Sequence, residues 1–96
     1  MELFIFARFH AREGEEAALA EVLRRQIRFV RAETGCLVID AYRSTRDPRL
    51  FYIHSRWTDE AAFEIHAKLP NTLEFLERVR RLTDHELDVT RARSLG

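Results

Sequence analysis

The chain has 96 residues, enough for one hydrophobic core and too few for a second. Hydrophobic residues make up 46% and charged residues 33%, the proportions of an ordinary globular fold rather than a disordered segment. Sixteen basic residues balance sixteen acidic ones, so no net positive field draws the chain to nucleic acid or to an anionic membrane.

Residues 2–10 are aromatic and β-branched and predict a first strand. This apolar run is too short for a signal peptide and lacks a basic leader, so a cytoplasmic location is expected. Ala11 to Gly14 read as a polar turn. From Glu15 the period changes: Leu19, Val22, Leu23, Gln26, Ile27 and Val30 recur at three and four residues, the apolar face of a helix. Thr34 and Gly35 are expected to close it, with glycine as the left-handed cap. Residues 36–44 predict a second strand. It begins at Cys36, the only cysteine, which rules out an intrachain disulfide and CxxC chemistry. Asp47-Pro48 marks a turn, and residues 50–57 predict a third strand. Thr58 or Asp59 caps a short helix through about His66; Pro70 interrupts it, and Asn71 or Thr72 restarts a helix bearing Leu73, Leu76, Val79 and Leu82. A last strand is expected over about 85–92, so residues 1–93 form one domain and 94–96 a tail.

The order β-α-β-β-α-β, with short connections and right-handed crossovers, predicts an α+β ferredoxin-like plait: an antiparallel four-stranded sheet with helices on one face. Strand alternation sorts the side chains. Leu3, Ile5, Ala7, Phe9, Leu37, Ile39, Ala41, Arg43, Phe51, Ile53, Ser55, Trp57, Leu87, Val89 and Arg91 are expected to face the helices. The opposite face carries Phe4, Phe6, Val38, Leu50 and Tyr52 among charges of both signs, which reads as a partner surface. Two plaits meeting sheet to sheet as a homodimer, a dimeric α+β barrel, would cover it.

A ligand would then lie between the helices and the inner face. Arg43, Ser55 and Arg91 break that apolar surface, Trp57 shares it, and Phe63 and His66 can both look toward it from one helix. Each residue has a plainer reading. Trp57 can be a core plug, His66 an exposed or backbone-capped histidine, and the two arginines can reach past strand ends to water. No acid–histidine pair accompanies Ser55 at hydrolase spacing. The histidines His10, His54, His66 and His85 lie in separate elements and do not indicate a metal. The three scattered glycines form no phosphate loop, so nicotinamide and flavin motifs are missing. RNA binding through Phe4, Phe6 and Tyr52 is opposed by Asp40, Glu86 and Asp88 on the same face.

From Thr34-Gly35-Cys36 through Tyr42-Arg43-Ser44, Asp47-Pro48 and Trp57 to Ala62 and His66, the chain resembles the antibiotic biosynthesis monooxygenase domain, a family of small quinol and anthrone oxygenases. The resemblance implies oxygenation of a small aromatic substrate by dioxygen without a cofactor. In that scheme His66 is the base, Trp57 stacks on the substrate, and Arg43 or Arg91 stabilises the developing oxyanion. Relatives usually carry a glutamate two residues before the tryptophan, where this chain has Ser55. The tryptophan and asparagine used by haem-degrading members have no counterpart, since Trp57 and Asn71 are the only ones present. Two other readings stand beside the oxygenase: an isomerase of a small carbonyl metabolite, and a domain that binds a small ligand without reaction.

Overall fold

A computed structural model describes all 96 residues. The elements are β1 (Leu3–His10), α1 (Glu16–Val30), β2 (Cys36–Arg43), β3 (Leu50–Trp57), α2 (Glu60–Lys68), α3 (Pro70–Leu82) and β4 (Asp88–Ala92). The strands form one antiparallel sheet in the order β2-β3-β1-β4. This is the ferredoxin-like plait, with its second helical segment divided in two. In β1 the residues expected to face inward, Leu3, Ile5, Ala7 and Phe9, are all buried. The register of β1 against β3 runs from Leu3 opposite Trp57 to His10 opposite Leu50, so the inner residues of both strands fall on one face.

The break between α2 and α3 has a local cause. Proline disfavours a helical backbone at the residue before it, and Leu69 is extended, with φ −65° and ψ 143°. Pro70 then starts α3 at its first position, where a missing N–H costs nothing, one residue before the predicted Asn71 and two before Thr72. Asp59 caps α2, its carboxylate accepting from the Ala62 N–H at 2.8 Å.

Three expectations need correction. Helix α1 ends at Val30, not at Gly35. Past Val30 the backbone bonds tighten, the Ala32 and Glu33 N–H groups donating to the Phe29 and Val30 carbonyls, while the Arg31 guanidinium donates to the Ile39 carbonyl and the Asp40 carboxylate of β2. Gly35 keeps its left-handed backbone, φ +87°, in the turn that follows. Leu37 does not face the helices. A bulge between Cys36 and Val38 lets Cys36 pair with Trp57 and sit against the core, leaving Leu37 exposed. The last strand begins at Asp88, so His85, Glu86 and Leu87 belong to the connection before it.

The core lies between the sheet and the helices, and Trp57, Leu19, Leu23 and Val30 are its largest fully buried side chains. On the open side of the sheet Phe6, Tyr42 and Tyr52 stay substantially exposed.

Candidate functional site

Between the inner face of the sheet and the three helices lies a largely apolar cavity of about 240 Å³. Its apolar lining includes Ile5 and Phe9 of β1, Ile53 of β3, Phe63 of α2 and Phe75 of α3. Four polar side chains reach it: Gln26 from α1, Ser55 from β3, His66 from α2 and Thr72 from α3. Every layer of the fold therefore contributes a polar group to one chamber.

His66 is the best held of the four. Its Nδ1 lies 2.7 Å from Glu33 Oε1, both side chains being largely buried, and Thr72 Oγ1 is 3.4 Å from the same nitrogen. An ionised carboxylate only accepts, so Nδ1 carries the hydrogen. In the neutral ring Nε2 is then the acceptor, and it has no protein partner. The imidazole rests on Trp57, ring centroids 4.8 Å apart, and against Phe63 at 5.5 Å. Carboxylate, imidazole and aromatic wall thus fix the ring's tautomer and plane together.

Glu33 arrives there through the turn after α1. The Thr58 N–H donates to the Gly35 carbonyl at 2.9 Å, which ties that turn to the start of α2. Cys36, next in the chain, has its thiol pKa raised by burial and then by the Glu33 charge, so it stays a protonated thiol.

The sequence candidates divide into three groups. Ser55, Phe63 and His66 line the cavity. Trp57 is fully buried behind it, donating from Nε1 to Ser55 Oγ at 3.0 Å; it supports His66 and meets Phe63 edge-on at 5.6 Å. The two arginines do not reach the chamber. Arg43 sits at the far end of β2 with its Nε donating to the Pro48 carbonyl and its guanidinium over the Phe51 ring. Arg91 lies over Phe63 from outside, paired with both Glu60 and Glu64 of α2, and those carboxylates raise its pKa further. A guanidinium near a strand end gains more from water and carboxylates than from an apolar chamber, which explains both corrections.

Glu33, Thr72 and Gln26 escaped recognition as site residues. For Glu33 and Thr72 no spacing in the chain links positions 33, 66 and 72. Gln26 did leave a signal, as the one amide within the apolar stripe of α1.

A second cluster lies at the opposite end of β1. His10 and His85 each place Nδ1 at 2.7 Å from Asp84 Oδ1, and Arg49 holds the other Asp84 oxygen. The hydrogen bonds from His10 and His85 lower the Asp84 pKa well below the carboxylate range. The separate elements of His10 and His85 hid this proximity, which the turn before β4 creates.

The chain matches the family model described as antibiotic biosynthesis monooxygenase over residues 3–78. Its fold superimposes on Rv0793 from Mycobacterium tuberculosis with a TM-score of 0.93 and 27% identity, covering 100% of this chain and 97% of that one. PA3566 from Pseudomonas aeruginosa gives 0.90 and 30%, covering 99% and 95%. A third structure, described as an antibiotic biosynthesis monooxygenase, gives 0.91 at 19% identity, covering 98% and 99%, a likeness of fold.

Proposed function

Because the chain belongs to the antibiotic biosynthesis monooxygenase family, we propose that it oxygenates a small quinol- or anthrone-like aromatic with dioxygen and without a cofactor. The observation that carries this reading is the imidazole of His66, held by Glu33 through Nδ1 with Nε2 unpartnered, in the wall of an apolar chamber. His66 takes a proton from an acidic C–H or O–H of the substrate. The resulting anion is electron-rich enough to reduce dioxygen directly. Over the full reaction the substrate loses two hydrogens and four electrons. One oxygen atom joins carbon, and the other leaves in water with those hydrogens. Glu33 stabilises the imidazolium that forms on the way.

A chamber of about 240 Å³ lies below the usual ~300–1,000 Å³ of drug-sized ligand sites, which favours a quinol of one or two fused rings over a three-ring anthrone. Trp57 forms the floor under His66 rather than a face against the substrate, and Phe63 and Phe75 supply the aromatic walls. Phe6, Tyr42 and Tyr52 on the open face support a sheet-to-sheet homodimer, closing a dimeric α+β barrel and leaving each subunit its own chamber. The unpaired cysteine suits a reducing cytoplasm.

Oxygen uptake with two-ring quinols tests the reading. Wild-type protein is expected to consume dioxygen without added cofactor, and His66→Ala to lose roughly 10²–10⁴ of the rate. Unchanged uptake in His66→Ala removes the base from the scheme, and turnover of a carbonyl substrate under argon replaces the oxygenase with an isomerase.

A further inference from the structure

Gln26 is 5% exposed, and its Nε2 is buried with no hydrogen-bond partner among the protein atoms. A buried amide N–H without an acceptor is a defect that folded proteins rarely keep, because the water it gave up is not replaced. Nothing about helix α1 demands a glutamine here. The neighbouring positions of the same stripe, Leu19, Leu23 and Val30, are buried and apolar, and leucine or methionine would fill the place without the cost. The side chain lines the chamber that also holds His66 and Ser55. A turn of the amide about its last side-chain bond presents the N–H to an acceptor that enters the chamber.

We infer that Gln26 is the specificity-determining residue of the cavity, donating from Nε2 to a carbonyl or phenolate oxygen of the bound ring system. This rests on the reading of the chamber as an aromatic-ligand site and names which groups the ligand must carry. The division of labour follows from hydrogen-bond chemistry. His66, with its hydrogen committed to Glu33, offers only a lone pair at Nε2 and so meets a hydrogen of the ligand. Gln26 carries both N–H donors and a carbonyl acceptor, and it is the donor, left unpaired in the fold, that meets an oxygen. Ser55 is the competing donor, since its Oγ accepts from Trp57 and its own hydroxyl hydrogen is free. A ring bearing an acceptor oxygen apart from its acidic hydrogen matches both ends of the chamber. A bare hydrocarbon matches neither. A site that spends a buried donor on the ligand's oxygen discriminates strongly against the analogue lacking it.

The test uses 1-tetralone, whose ketone only accepts, and tetralin, the same two-ring frame without oxygen. Affinities are measured by titration calorimetry on wild type, Gln26→Met, Gln26→Leu and Ser55→Ala, with circular dichroism to establish that each variant is folded. Wild type is expected to prefer tetralone by about tenfold or more, the scale of one buried hydrogen bond. Gln26→Met and Gln26→Leu should erase that preference by weakening tetralone alone. A preference that survives both Gln26 variants, or that only Ser55→Ala removes, overturns the assignment and leaves the oxygenase reading standing. Failure of wild type to bind either probe overturns the assignment and the aromatic-ligand reading together. Loss of oxygen uptake in His66→Ala tests the oxygenase alone and moves independently of the tetralone-to-tetralin ratio.

Discussion

Gly35→Ala is the sharpest perturbation the fold offers, because two separate effects act on one methyl group. At φ +87° an L side chain is strained, which costs about 1–2 kcal/mol. The added Cβ would also lie 2.5 Å from the Cβ of Ala62 and 3.1 Å from Thr58 Oγ1. Ala62 Cβ is fixed to the backbone of α2 and cannot swing aside, so the turn or the helix must move, at roughly 1–3 kcal/mol. The sum is about 2–5 kcal/mol. At ~4–8 °C per kcal/mol for a domain of this size, the melting temperature should fall by about 10 °C or more. Gly14 supplies an internal control: it has the same φ of 87° but nothing within 4 Å of its hypothetical Cβ, so Gly14→Ala should show the backbone part alone. The steric part is isolated by a double-mutant cycle with Ala62→Gly, monitored by urea denaturation, in which a favourable coupling of ~1–3 kcal/mol is expected. Effects of Gly35→Ala and Ala62→Gly that add within about 0.5 kcal/mol would refute the close packing of this turn on α2. Glu33, two residues before Gly35, holds His66, so on the proposed oxygenase reading Gly35→Ala should also lower oxygen uptake.

Three further outcomes are expected. Trp57→Phe empties part of a fully buried site and leaves Ser55 without its donor, so it should cost about 3 kcal/mol by urea denaturation; an unchanged midpoint would contradict the role of Trp57 as a packed floor. Asp84 and Asp47 both have folded pKa values below the ordinary carboxylate range, Asp84 through His10 and His85 and Asp47 chiefly through the Arg49 backbone N–H. Their stabilisation is therefore present above the unfolded value near ~3.9 and is lost as pH falls below it. Asp84→Asn should flatten the melting-temperature profile below about pH 4, and a variant profile as steep as wild type would exclude the cluster as a cause of acid unfolding. Arg43→Ala should leave the affinity for 1-tetralone within about twofold, since Arg43 is bound to Pro48 and Phe51 rather than to the chamber; a larger loss by calorimetry would return it to the site.

Periodicity along the chain was sufficient for the architecture. Alternation in residues 2–10 and 50–57 and the three-and-four spacing after Glu15 are local properties, and each strand or helix must bury its own apolar face. That requirement also marked Phe63 and His66 as one helical face turned toward Ser55. What the pattern could not contain was how far a long polar side chain travels. Arg43 and Arg91 occupy inward positions by alternation, yet their guanidinium groups end at Pro48 and at Glu60 and Glu64. A bulge at Leu37 is equally invisible to alternation, because one extra residue in β2 reverses the faces of everything before it.

The site's chemistry lies mostly on the tertiary side of that division. His66 was legible because its residue type and helical position both point to it, whereas Glu33 is only a charged residue in a turn until that turn folds against Ala62. The amide of Gln26 stood in the sequence as a polar break in an apolar stripe, but its missing partner is a statement about every atom around it. Which groups share a helix or strand follows from neighbours a few residues apart. Which groups share a hydrogen bond depends on distances of a few tenths of an ångström between segments far apart in the chain, and packing alone sets those.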